Sequence, residues 1–252
     1  MTVSYPNLPN APIQEAIISL ALGKGQKHNE SSLESVCKVL KKSYPKESPL
    51  LVNKVNFSFN DEGMETSHQK EKQGYALSAE NKTRFLRMSR DSLTLNCLKP
   101  YVSWESFADK YKEAWGEYIK PLDEVSDISL ISIRYINSFR IPTVNWEDYI
   151  LMAPKFETTN KYDDTAAIST GDFFSRYLFI SEKYMAQSGV LLTIRPLNKD
   201  SLEVIMDIEV ASRTTIKNYS GYHDITDVLN RLRNFKNQIF FSNIPKAEEL
   251  FK

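Results

Sequence analysis

The stretch GVLLTIRPLNKDSLEVIMDIEV, residues Gly189 to Val210, decides the fold. Read as two strands around Leu197-Asn198-Lys199-Asp200-Ser201, it sets Val190 opposite Ile208, Leu192 opposite Met206 and Ile194 opposite Val204. Each of these pairs is apolar. Thr193, Arg195, Glu203, Ile205, Asp207 and Glu209 fall on the other face, with Arg195 opposite Glu203. Side chains alternate along a strand, so a slip of one residue would turn the whole apolar set to solvent. The pattern predicts an antiparallel hairpin, Gly189–Arg195 with Leu202–Val210, that is core on one face.

Working outward, Phe173–Ile180 reads as a third strand, with Phe174, Tyr177 and Phe179 supplying bulk. After the hairpin, Asp224 and Asp227 open a long helix, where acidic residues suit the positive end of the helix dipole. Val228, Leu232, Phe235, Ile239 and Phe240 then recur at helical spacing. The same plan occurs earlier in the chain. Tyr75–Ala79, Arg84–Arg90 and Ser92–Leu98 form a meander in which Met88 faces Leu93 and Leu86 faces Leu95. Ser103 caps the helix that follows, whose stripe runs through Trp104, Phe107, Ala108, Tyr111, Trp115, Tyr118 and Ile119. Gly74–Ile119 and Asp172–Phe241 thus repeat a plan of elements, though not of residues.

The remaining segments fit around these two units. Ile13–Leu22 is a strand, ended by Gly23-Lys24-Gly25, a turn whose glycine spacing matches no phosphate-binding loop. Ser31 and Glu34 make a capping box for a helix over Ser32–Ser43. Leu51–Asn60 is a strand, Asp61–Gln73 a polar loop, and Ile128–Phe139 a long strand stopped before Pro142. A short helical piece is expected over Trp146–Met152, and Lys155–Asp164 is a polar connector. Strands in runs with helices after them, joined by short connections, mean α+β with a largely antiparallel sheet. The expectation is a sheet of about eight strands with two long helices packed on one face. Residues 1–154 and 155–252 form two pseudo-repeated halves of one compact domain.

Composition bounds the function. The 252 residues carry 32 basic and 32 acidic side chains, so no net field draws the chain toward nucleic acid or an anionic membrane. No window approaches the roughly 20 apolar residues of a membrane helix, and the polar, proline-rich start does not read as a signal peptide. Cys37 and Cys97 are the only cysteines and sit in apolar patterns, as buried thiols of a cytoplasmic protein do.

Catalytic chemistry finds little purchase. His28 and His68 lie in polar segments and His223 precedes a helix, and none has the neighbours of a triad. Cysteine and histidine spacing defines no metal site, and no cofactor fingerprint is present. Glu203, Asp207 and Glu209 share a strand face where carboxylates could hold a cation, but Arg195 neutralises part of that cluster. Asp163-Asp164 reads as a solvated loop. Arg84, Arg87, Arg134, Tyr135 and Arg140 are the candidates for gripping nucleic acid or another ligand, since arginines among aromatics clasp phosphates and stack on bases. Phe240, Phe241, Ile244, Leu250 and Phe251 must pack back on the sheet or bury against a partner or second subunit.

Three further stretches stand out. They are Leu8-Pro9-Asn10-Ala11-Pro12-Ile13-Gln14-Glu15-Ala16, then Ile133-Arg134-Tyr135-Ile136-Asn137 with Pro142, and His223-Asp224 with Leu229, Leu232, Phe235 and the closing Ala247-Glu248-Glu249-Leu250-Phe251. Over essentially its full length the chain resembles a sporadically distributed family of bacterial and archaeal proteins of about 250 residues, a size suited to one large domain. The resemblance brings no activity and no catalytic residue with it. Patchy distribution of that kind implies exchange by mobile elements, and hence a role in phage defence, toxin neutralisation or a related accessory system. The expected function is a non-enzymatic module that binds a protein partner or forms a homo-oligomer. A nucleic-acid or nucleotide sensor and a metal-dependent hydrolase are the alternatives.

Overall fold

The structure, a computed structural model, describes residues 5–60, 63–153 and 172–252. Val190 pairs with Ile208, Leu192 with Met206 and Ile194 with Val204, and all six side chains are buried. These residues belong to β8 (Ala186–Pro196) and β9 (Ser201–Ser212). Burying an aliphatic side chain of this size is worth about 1.5–3 kcal/mol, so the apolar pairing sets the register.

β9 continues the sheet onto β6 (Ile128–Pro142), setting Ile133 beside Val210 and Tyr135 beside Ile208. β6 in turn pairs with β1 (Ile13–Leu22), where Ile18 meets Ile133 and Leu20 meets Ile131. On its other side β1 pairs with β5 (Ser92–Leu98), matching Ile18 with Leu95 and Leu20 with Leu93. β4 (Arg84–Ser89), β3 (Gly63–Ser78) and β2 (Lys46–Asn60) complete one edge, and β7 (Phe173–Ser181) forms the other. The result is a nine-stranded antiparallel sheet, order β2-β3-β4-β5-β1-β6-β9-β8-β7. Paired residues share a face, so Leu86, Leu95, Ile18, Ile133, Val210 and Ser188 mark one continuous buried layer across it.

β1 and β6 lie side by side at the centre. The meander after each returns its last strand, β5 or β9, to pair with that opening strand. A helix follows each return. α1 (Glu30–Leu40) contacts α2 (Trp104–Ile119), α2 contacts β5, and α3 (Tyr222–Asn243) contacts β6, β8 and β9. Ser103 caps α2 by accepting from the Ser106 amide at 3.1 Å. The aromatic stripe of α2 is core: Tyr111 and Tyr118 donate their hydroxyls to the carbonyls of Leu93 and Ser89, at 2.9 and 3.1 Å.

Several expectations are corrected. Gly63–Gln73 is strand rather than loop, with Gly63–Lys72 paired residue for residue with β2 and a register shift at Gln73, while Asp61 and Glu62 lie outside the described residues. β4 reaches β3 only over Gly74–Ser78, so the outer part of the β2–β3 hairpin has no third strand beside it. A two-stranded ribbon of this kind needs no apolar alternation, because ladder hydrogen bonds alone define it. α1 starts at Glu30, and its cap is Asn29, whose Oδ1 accepts from the Ser32 amide at 2.8 Å, not Ser31. Trp146–Met152 contains only a single 3₁₀ turn, Trp146–Asp148. The Lys155–Asp164 connector lies outside the described residues. A last short helix, α4 (Ala247–Leu250), folds the C-terminal segment against β6.

Candidate functional site

A cavity of about 490 Å³ opens between the segment before β1, the loop from β5 into α2, and the C-terminal half of α3. Its floor is β6. Here Tyr135 and Asn137 project from the buried face, while Arg134, the residue before Tyr135, projects from the opposite one.

The wall formed by residues 5–12 is tied down at both ends. Tyr5 stacks on Phe241 with ring centroids 5.4 Å apart. The Asn10 amide donates to the Phe251 carbonyl at 3.1 Å, its side chain bonds the Lys252 carbonyl, and the Ser138 amide donates to Pro12 at 2.9 Å. The opposite wall carries Tyr101, whose hydroxyl lies 3.1 Å from that of Tyr135. Burial pushes the Tyr101 hydroxyl up to about 12 and that of Tyr135 well above its ordinary range, so both stay protonated.

Two cations from α3 face this space, one helical turn apart on the same side. Arg233 lies 3.4 Å from Glu105 and stands 5.5 Å from the Trp104 ring centroid. Lys236 sits 4.4 Å from the Tyr135 ring centroid and has no carboxylate partner among the described residues. Burial, followed by the charge of Arg233, brings its ammonium down to about 7. Asn137 donates its amide to the Met206 and Tyr135 carbonyls at 3.0 and 3.3 Å. With Lys236 protonated, Lys99, Arg233 and Lys236 against Glu105 leave the lining at +2, counting three cations and one anion, in a chain whose net charge is zero. A cleft with that balance favours an anionic occupant.

The residues expected to bind a ligand do not meet in one place. Tyr135 is in the cleft. Arg84 shares the buried-side face of β4 with Leu86 and Met88. Arg87 lies on the open face, donating to Asn96 at 3.0 Å, and Asn96 in turn donates to Glu15 at 2.6 Å. Arg134, on that same face, is bound to Asp207, while Arg140 is exposed near the end of β6. Of the carboxylates, Glu203 accepts from Arg195 at 2.6 Å and from Ser138 at 3.3 Å. Among the described residues no group of three or more His, Cys, Asp or Glu side chains could hold a metal. Asp163 and Asp164 lie outside those residues.

His28 is buried rather than solvated, sharing a 2.7 Å hydrogen bond with Ser32 and lying against the Tyr118 ring. His68 lies on β3, and His223 is exposed beside Asp224. Phe240, Ile244 and Phe251 are buried in the chain's own core, with Phe251 edge-on to Phe139 at 5.3 Å. Packing within the chain therefore occupies three of the five interface candidates, and only Phe241 and Leu250 remain partly exposed.

Arg233 and Lys236 escaped the sequence reading. The one signal was that Lys236 interrupts the apolar row Leu232–Lys236–Phe240, spaced four residues apart on α3. Comparison with protein-family models gives no match, and comparison with curated proteins gives none either. No helix among the described residues is long and apolar enough to cross a membrane.

Proposed function

We propose that this protein is a binding module that takes a small anionic ligand in the cleft between α3 and the N-terminal segment. One observation carries the reading: Lys236, a cation inside an aromatic-walled cavity, lacks a carboxylate partner among the described residues while Arg233 stands beside it. A charge partly withdrawn from water without a counter-charge is costly, and an anion entering the cleft would supply one. In this reading α2 and α3 both cover the buried face of the sheet, and the cleft is the gap left between them. Leu8–Ile13, Tyr135, Asn137 and Phe251, which belong to the three stretches that resemble the sporadically distributed family, gather at or beside this cavity. That gathering favours a shared binding role, in keeping with an accessory system exchanged by mobile elements.

Thermal shift with citrate and with pyrophosphate tests the reading. An anion at a hundred times its Kd adds about 2.7 kcal/mol of stability. Lys236→Met and Arg233→Met should each lose most of that gain. An equal gain in wild type and both variants would remove the cleft as the site.

A second reading, docking of a protein partner or a second copy, is favoured by the edge strand β7. Its outward side chains Phe174, Leu178 and Ile180 are 66%, 67% and 59% exposed. Light scattering tests it: Leu178→Glu should dissociate an oligomer, and a wild-type chain that is monomeric and captures no partner would sink the idea.

A further inference from the structure

We propose that Lys236 is a nucleophilic amine that condenses with the carbonyl group of a small acid-bearing aldehyde or keto acid, whose acid group Arg233 holds. The inference rests on the cleft being the ligand site and names the chemistry that the site performs on its occupant.

The geometry supplies each part. The ammonium nitrogen of Lys236 lies over the Tyr135 ring, inside a cavity of about 490 Å³. Lysines in folded proteins ordinarily carry their charge out to water or onto a carboxylate. The charged or titratable residues that line the cavity with Lys236, among the described residues, are these. On its own helix it is Arg233; from β6, Tyr135; from the loop into α2, Lys99, Tyr101 and Glu105; from the N-terminal segment, Tyr5. Glu105, the one carboxylate among them, is engaged by Arg233. A cationic neighbour and partial withdrawal from water both loosen a lysine's hold on its proton, and Arg233 one turn away with the half-buried seat over the Tyr135 ring supplies them.

The step balances without an oxidant or reductant. The lone pair of the neutral Nζ attacks the carbonyl carbon, a C–N bond forms, and the carbonyl π pair moves to oxygen, which takes up a proton. The nitrogen passes one proton to water in the cleft, water returns one to the hydroxyl, and the nitrogen gives up its second proton only after the C=N bond has formed. The protonated hydroxyl then leaves as water while the nitrogen pair closes the C=N bond. Amine plus carbonyl compound yields imine plus water. Arg233 retains donors beyond those facing Glu105, and a guanidinium grips a carboxylate through paired N–H bonds.

Glyoxylate, with cyanoborohydride to reduce the imine, tests this on the full chain, read by peptide mass mapping. At pH 7 Lys236 should be modified at least about tenfold faster than the median of the other lysines, because an ordinary lysine is neutral only about once in a few thousand. Its rate should reach half-maximum near pH 7, and Arg233→Met should move that midpoint upward. Labelling of Lys236 no faster than surface lysines, in a chain whose circular dichroism is native, would overturn the proposal. Oxalate, which bears acid groups but forms no imine, is run alongside by thermal shift. Stabilisation by oxalate with no preference at Lys236 sinks the amine chemistry and leaves the cleft standing. Neither stabilisation nor labelling sinks both.

Discussion

Arg134 holds Asp207 through two parallel hydrogen bonds across the β6–β9 pair, Nε to Oδ1 at 2.8 Å and Nη2 to Oδ2 at 2.5 Å. The Asp207 side chain is 12% exposed and that of Arg134 40%, so the pair is neither a free surface bridge nor a sealed one. Removing the arginine strands a nearly buried carboxylate, a loss of about 1–3 kcal/mol. Arg134→Met should therefore lower the urea midpoint clearly, whereas Arg140→Met at an exposed site should change stability by less than about 0.5 kcal/mol. Adding Asp207→Leu to Arg134→Met should recover much of the loss. Equal effects of the two arginine variants would contradict the pairing.

His28 makes stability depend on mild acid. Burial lowers its pKa below the ordinary value of 6.5, so the unfolded chain binds a proton that the folded chain resists. The contribution is complete above about pH 6.5 and is lost as pH falls through the lower folded value. Urea midpoints between pH 7 and 5 should fall more steeply for wild type than for His28→Gln. Parallel curves would show that the imidazole is not the group responsible.

Lys236 acts in the same direction at higher pH. Its folded pKa of about 7 lies below the unfolded value of about 10.4, so the folded chain binds fewer protons between them. Stability of the ligand-free protein should rise from pH 7 toward pH 9, and Lys236→Met should flatten that rise. Anion affinity runs oppositely, stronger at pH 6 than at pH 8, because the ammonium is the charged form. Calorimetric titration with pyrophosphate at the two pH values checks the sign.

Gly74 stands where the β2–β3 ribbon joins the body of the sheet. A Cβ built there would sit 1.8 Å from the Met88 carbonyl oxygen, an approach only glycine allows. Gly74→Ala should cost about 1–3 kcal/mol, the usual range for forced overpacking. Gly116, with nothing within 4 Å of the same position, is the control. Gly116→Ala in α2 should be neutral or stabilising by thermal melt.

The strand registers were legible because two-residue alternation of large apolar side chains leaves one arrangement that buries them all. Leu86 facing Leu95 and Val190 facing Ile208 are both read directly from the chain and both found. β3 was not legible over Gly63–Gln73, where hydrogen bonds to β2 define the strand and no apolar face marks it. In the candidate site, Tyr135 was singled out, but as a companion of Arg134, which faces away from it.

Local periodicity thus determined the α+β class, the antiparallel hairpins and the aromatic stripe of α2, since each depends on side chains a few residues apart. Only the tertiary structure decided that β1 and β6 meet at the centre and that Lys236 stands over Tyr135 beside the N-terminal segment. Residues a hundred positions apart become neighbours through chain closure and packing. The charge environment that makes one lysine unlike the rest exists only after those elements have met.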